Sequence, residues 1–219
     1  MLLDDHLRAR VAKHLAAFAP LRVPHGAQRA AAVAVAITDE GLGAHIAGLA
    51  RPAGWSPEAA LIVTRRAATL SSHAGQWALP GGRIDAGETA EAAALRELFE
   101  EVGLQLPPSA VLGTLDDFAT RSGFVITPVV VWAGAVRTLV PNPGEVDGIH
   151  RIPVEEFMRA DAPLLEPSEE PGRQILRMPV GRSWIAAPTA AVLYQFREVC
   201  IAGRDTRVAH FDQPVFARR

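Results

Sequence analysis

The chain has 219 residues, 49% of them hydrophobic, and a formal net charge of −2, which allows one domain with a sizeable core and terminal extensions. That charge balance argues against a general nucleic-acid-binding or membrane-surface protein. Cys200 is the only cysteine, so no intrachain disulfide can form and a reducing compartment fits. Lys13 is the only lysine, and although arginine's planar fork suits bidentate phosphate contacts, composition alone assigns none.

The N-terminal stretch MLLDDHLRARVAKHLAAF carries charges throughout and has no apolar core of the kind a secretory signal needs, so a cytoplasmic protein is expected. Within it, Asp5 to Ala19 place Leu7, Val11, Leu15 and Phe18 along one side and predict an amphipathic helix. Ala30–Thr38 alternates and predicts a strand, and Leu61–Arg65 predicts a short buried one. A loop rich in Ser and Gly leads to the turn Pro80-Gly81-Gly82. Next comes a run of Ala, Leu, Glu and Arg, predicting a helix from about Thr89 to Val102 that Gly103 ends in a left-handed C-cap. Val111–Phe118 and Phe124–Val136 predict strands joined at Arg121-Ser122-Gly123. The second holds the longest apolar run, which Thr127 and Pro128 break well short of a bilayer span. Pro141-Asn142-Pro143-Gly144 reads as a loop. A short helix around Val154–Arg159 precedes an acidic, proline-rich stretch, Pro163–Pro171, read as mobile surface. A strand at Ile175–Val180 and a closing helix from Pro188 to Ala202 complete the order, with Cys200 as a small core residue. This order predicts an α/β fold, a mixed sheet covered by helices on both faces.

The chemistry concentrates on the central helix. At about 100° per residue, Glu97, Glu100 and Glu101 fall within an arc of about 100°. Leu95, Leu98, Phe99 and Val102 fall opposite and predict the core-facing stripe. Ala93 and Ala94 flank the carboxylates with little bulk, which predicts room above them. Carboxylates on one face repel by a few tenths of a kcal/mol per pair unless a cation sits between them. Hard oxygen ligands of this kind suit Mg²⁺ or Mn²⁺, ions that keep some waters and bind phosphates. The alternative is a solvated acidic face with Arg96–Glu100 as an ordinary ion pair. The preceding Gly81-Gly82 turn and Glu88 at its offset weigh against that alternative. Arg96 is read as structural, orienting a glutamate.

Gly82, Glu88, Arg96, Glu97, Leu98, Glu100, Glu101, Gly103 and Leu104 stand in the run GGRIDAGETAEAAALRELFEEVGL. They match the pattern G-x5-E-x7-R-E-U-x-E-E-x-G-U, with U aliphatic. At ordinary residue frequencies a chance match has a probability on the order of 10⁻⁷. On this pattern the chain resembles the Nudix hydrolases, which implies an α/β/α sandwich and metal-dependent hydrolysis of diphosphate linkages. The expected boundaries are an N-terminal helical extension at residues 1–28, a Nudix domain at 29–203 and a C-terminal tail at 204–219. The resemblance implies metal at the Gly82 carbonyl and at Glu97, Glu100 and Glu101. Glu88, Arg96 and Gly103 are then structural residues of the motif. The general base is Glu97 or Glu145, an open choice.

Upstream, Thr64, Arg66, Leu70, His73, Gly75, Gln76, Pro80, Gly81 and Gly82 resemble the extended signature of the coenzyme A diphosphatase branch. Gly123-Phe124 with Ile126-Thr127-Pro128-Val129-Val130, and Asn142-Pro143-x-Glu145-Val146, fit the same branch. Leu79, Ala67, Trp77 and the Trp184–Thr189 segment depart from it. The implied substrate is coenzyme A or an acyl thioester, cleaved to adenosine 3′,5′-bisphosphate and a 4′-phosphopantetheine product, with Arg66, His73, Gln76 and Arg121 as candidate contacts. Other substrates in view are ADP-ribose, NADH or a modified nucleoside triphosphate, and a non-catalytic ligand-sensing module stands further off. A small-molecule nucleotide is the expected partner, with no nucleic acid and no membrane, and a homodimer is the expected assembly.

Overall fold

The computed structural model describes residues 1–24, 26–69 and 74–214. In chain order the elements are α1 (Asp5–Ala17), β1 (Arg29–Gly41), β2 (Ser56–Arg66), β3 (Trp77–Ala78), β4 (Gly81–Arg83), α2 (Ala90–Val102), β5 (Val111–Thr114), β6 (Phe118–Ala119), β7 (Phe124–Gly134), β8 (Val146–Pro153), α3 (Val154–Phe157), β9 (Leu164–Pro167), β10 (Gln174–Val180), β11 (Ser183–Ala186), α4 (Thr189–Gln195) and β12 (Phe211–Asp212), with Phe196–Ile201 continuing α4 as a π-helix.

β1 is the spine of the main sheet. β7 runs parallel to it along its length, from Arg29 opposite Phe124 to Thr38 opposite Gly134. On its other side, β1 meets β2 through Ile37–Gly41 and β4 through Ala31–Val33, both antiparallel. β2 meets β8 along Ala60–Arg66, so β3, which pairs with Thr64 and Arg65, lies on the β1 side of β2. β1 and β2 therefore fork, and the β3–β4 strip fills the gap between them.

The pleat of β1 divides the interior, because alternate residues point to opposite faces. Ala32, Ala34 and Ala36 pack with Ala93, Ala94, Leu98 and Val102 of α2. Val35 and Ile37 face the other way, into a larger core with Leu7, Val11 and Leu15 of α1 and Ala190, Ala191 and Leu193 of α4. Helices on both faces of a mixed sheet are the sandwich that the sequence predicts. Cys200 is fully buried in the second core. Among the described residues no helix is long and apolar enough to cross a membrane.

Three features differ from the sequence-based expectation. Val111–Phe118 is not one strand. β5 stops at Thr114, and Asp116 and Asp117 turn inward to accept the Leu21 N–H at 2.7 Å and the Val23 N–H at 3.0 Å, fixing the segment between α1 and β1. Pro163–Pro171 is not simply mobile surface, since β9 pairs with β10 in a second sheet that β11 and β12 complete. Residues of the expected C-terminal tail enter that sheet, with Phe211 and Asp212 running parallel to Gln174 and Ile175.

Candidate active site

α2 is defined by its ends. Thr89 Oγ1 accepts the Ala92 N–H at 3.2 Å, and Gly103 takes a φ of 70° so that its N–H returns to the Phe99 carbonyl. Residues 93, 94, 97, 98, 101 and 102 share the buried side. Two carboxylates therefore ride on the face that packs toward the sheet. This corrects the predicted stripe: Leu98 and Val102 are buried, but Phe99 is 55% exposed. The room expected above Ala93 and Ala94 is filled by the alanines of β1.

Arg96 holds the motif together. Its guanidinium grips Glu88 at 3.0 Å through Nε and Nη2, reaches Glu97 at 2.8 Å and Glu100 at 3.0 Å through Nη1, and donates to the Arg83 carbonyl at 2.9 Å. The carboxylates hold the Arg96 pKa above its ordinary value, the Glu88 hydrogen bond most of all. One residue thus links the β4 end, the loop before α2 and two helix glutamates. Glu100 stays exposed on this clamp.

Glu145 arrives from the loop before β8. The Asn142 N–H donates to the Glu101 carbonyl at 2.9 Å, the Glu145 N–H donates to the Asn142 carbonyl at 3.0 Å, and the Ala67 N–H donates to the Glu145 carbonyl at 2.8 Å. The loop is thereby tied both to the end of α2 and to the end of β2. Glu97, Glu101 and Glu145 each bring one carboxylate oxygen within 4.8 Å of the other two. Burial pushes the Glu101 carboxyl up to about 8, with the Glu97 charge adding to the effect and Arg66 opposing it. Burial also raises Glu97, against the pull of Arg96. Three crowded carboxylates, two of them buried, are costly without a compensating cation.

The fork strip forms the wall beside them. A Cβ on Gly82 would stand 2.2 Å from Glu97 Oε1, and one on Gly81 would stand 2.4 Å from the Ala32 carbonyl oxygen. Only glycine lets β4 approach both β1 and the carboxylates so closely. Past this strip lies a cavity of about 890 Å³, lined by Gly81 and Gly82 themselves, by β1, β2 and β7 residues, and by the β11–α4 segment. Arg29, Arg65, Arg66 and Arg83 line it, and among the described residues no lining residue is acidic. None of those four makes an ion pair among the described residues.

Of the expected substrate contacts, Arg66 and Gln76 line this cavity. Arg121 does not: its guanidinium is held by Glu170 and, at 3.2 Å, by Asp212. His73 lies outside the described residues. Sequence reasoning missed Arg29, Arg83 and the β11–α4 wall. A period-two signal was available on β1, where Arg29, Ala31 and Val33 all face the cavity.

Comparison with known proteins agrees with this geometry. The NUDIX domain model matches residues 29–175. The chain is 41% identical over 103 residues to the Nudix hydrolase NudL of Photorhabdus laumondii, which is 47% of this chain and 55% of that protein. It is 37% identical over 103 residues to Nudix hydrolase 3 of Caenorhabditis elegans, 45% of this chain and 43% of that protein. The chain thus spans about half the length of the relatives it matches. In three dimensions it is similar to a MutT/nudix family protein from Enterococcus faecalis, with a TM-score of 0.52 at 15% identity over 78% of this chain and 62% of that one. With its signature helix, fork strip and mixed sheet lying inside the matched stretch, which is well over half of its length, the chain belongs to the Nudix family.

Proposed function

We propose that the protein hydrolyses the diphosphate bond of a nucleoside diphosphate derivative, and that this substrate is coenzyme A or one of its acyl thioesters. The observation that carries the proposal is a cluster of three carboxylates separated by two side-chain-free glycines from an arginine-lined cavity with no acidic side chain among its described residues. A divalent ion fits the cluster: the donors are hard carboxylate oxygens, they converge within 4.8 Å, and a glycine leaves the approach to Glu97 clear. Glu97, Glu101 and Glu145 would hold Mg²⁺ or Mn²⁺, with Glu100 and the Gly82 carbonyl at the margin. The chemistry such an ion supplies is charge neutralisation at phosphate oxygens and a lowered pKa for bound water.

The chain's own residues do the rest. Arg66, between the cavity and Glu101, meets phosphate oxygens. Arg96 keeps Glu97 aimed at the cluster. Glu97 or Glu145 takes the proton from the attacking water. Coenzyme A is favoured by the stretch around Thr64, Arg66 and Gln76 and by four lining arginines that make no ion pair among the described residues, more positive charge than a bare diphosphate calls for.

The test is a product assay with purified protein and Mg²⁺ or Mn²⁺ on coenzyme A, acetyl-coenzyme A, ADP-ribose, NADH and 8-oxo-dGTP, resolved by chromatography and mass. Adenosine 3′,5′-bisphosphate with a phosphopantetheine product as the dominant outcome supports the proposal. Preferred cleavage of ADP-ribose or another substrate overturns the coenzyme A assignment and leaves the hydrolase in place. No turnover on any of them points to the non-catalytic ligand-sensing module.

A further inference from the structure

At the open end of the cavity two guanidiniums share one aromatic ring. The Arg29 Cζ lies 4.1 Å from the Phe124 ring centroid and the Arg83 Cζ lies 5.9 Å from it. The sheet places them there. Arg29 stands directly opposite Phe124 in the parallel β1–β7 register. Arg83 stands opposite Ala31 in the antiparallel β1–β4 register, so it shares the face of Ala31 and Arg29. Gly82, one residue earlier, faces Glu97 instead. Neither arginine is ion-paired among the described residues, and both are exposed. The backbone carbonyl of Arg83 is held by Arg96 Nη2 at 2.9 Å, which anchors this pair to the α2 clamp. Two like charges brought to one ring, with no carboxylate among the described lining residues, are arranged for an anion. The ring quadrupole offsets only part of their repulsion.

We infer that Arg29 and Arg83 form a clip for a phosphomonoester that the substrate carries in addition to its scissile diphosphate, and that they are specificity-determining residues. The inference rests on the proposed hydrolase reading only for its consequence in catalysis. The clip itself is a binding site that can be measured without turnover. Charge-assisted bidentate contacts make each arginine a strong ligand for a phosphate dianion, and an AMP-like ligand lacking the extra group leaves the pair unused.

The experiment is isothermal titration of the full chain with AMP, adenosine 3′,5′-bisphosphate, adenosine 2′,5′-bisphosphate and inorganic phosphate. It is run on the wild type, on Arg29→Gln and Arg83→Gln, and on the double variant. The wild type is expected to bind one of the two bisphosphates at least about tenfold more tightly than AMP, and the double variant is expected to lose that preference while its AMP affinity stays within about twofold. Both positions are exposed, so melting temperatures within a few degrees of wild type confirm folding. Equal affinity for AMP and both bisphosphates in the wild type overturns the clip. So does a preference that survives in the double variant, and so does inorganic phosphate binding as well as a bisphosphate. A kinetic arm compares coenzyme A with dephospho-coenzyme A. The double variant should raise KM for coenzyme A about tenfold more than it raises KM for dephospho-coenzyme A. Absence of turnover on both, with the binding preference intact, would tell against the hydrolase reading and leave the clip standing.

Discussion

Gly82 has no side chain because the space where one would go belongs to the Glu97 carboxylate. Gly82→Ala should therefore displace either β4 or Glu97, lowering turnover by about 10²-fold or more, in the range of a lost acid–base group, and weakening Mn²⁺ binding as read by electron paramagnetic resonance. Wild-type values for both would show that this contact does not matter. Glu101 supplies a pH signature. Its folded-state pKa, about 8, lies above the ordinary value of 4.5, so the folded protein holds the extra proton. The stability linked to it is complete below about pH 4.5 and is lost as pH rises through about 8. The metal-free protein should thus melt at progressively lower temperature from pH 5 to pH 8. Mg²⁺ should raise the melting temperature more at pH 8 than at pH 6, and Glu101→Gln should flatten most of the slope. A variant that keeps the full slope would exclude Glu101 as its source. At this scale the helix carboxylates were legible from spacing, and Glu145 came into view only as one of two open choices of base that the family resemblance implies. Which glutamates converge was not, because the helix phase depends on the partner face. Small Ala93 and Ala94 let α2 press against β1, turning Glu97 and Glu101 inward and Phe99 out.

At the scale of elements, the fork between β1 and β2 positions the β3–β4 strip and the arginines of β1, β2 and β4 that face the cavity. It is pinned at the far end of β1 by a buried pair. Arg151 Nη1 reaches Asp39 Oδ1 at 2.6 Å, with side-chain exposures of 11% and 3%. The Val136 N–H also donates to Asp39, at 3.0 Å, and the Trp55 indole donates as well. Asp39→Ala leaves the Arg151 charge buried without its carboxylate. It should cost about 3–5 kcal/mol, read as a lower denaturant midpoint with an unchanged slope. A loss below about 1 kcal/mol, the worth of a surface pair, would contradict this role. β1, β7, α1 and the extent of α2 were readable from pattern and composition, whereas β2 was read only at its apolar run Leu61–Arg65, part of the observed Ser56–Arg66. β8 was not, since Val146–Pro153 is interrupted by Gly148 and by Asp147, His150 and Arg151, which meet the Ala68 N–H, Trp77 and Asp39 far away in the chain. β9 is exposed at all four positions, so its sequence carries no burial pattern. The inward turn of Asp116 and Asp117 is likewise invisible without Leu21 and Val23 opposite them.

Over the whole molecule, the carboxylate cluster lies on the α2 side of the fork strip and the cavity on the other, with Gly81 and Gly82 between them. Segments outside the family-matched stretch complete the cavity: Trp184, Ala187 and Val192 of the β11–α4 region line it, and the Thr189 hydroxyl reaches the Trp77 carbonyl at 3.3 Å. The signature named the chemistry, whereas the cavity's shape is built by residues far apart in the chain. On the proposed function, the cluster and the cavity form one site for metal-dependent diphosphate hydrolysis. The most direct measurement compares Mg²⁺-dependent coenzyme A turnover in the wild type and in Glu97→Gln, alongside circular dichroism. The expected result is steady release of adenosine 3′,5′-bisphosphate by the wild type and a loss of about 10²–10⁴-fold in kcat for a variant that remains folded. Full turnover in Glu97→Gln would contradict the assignment of the reaction to this cluster.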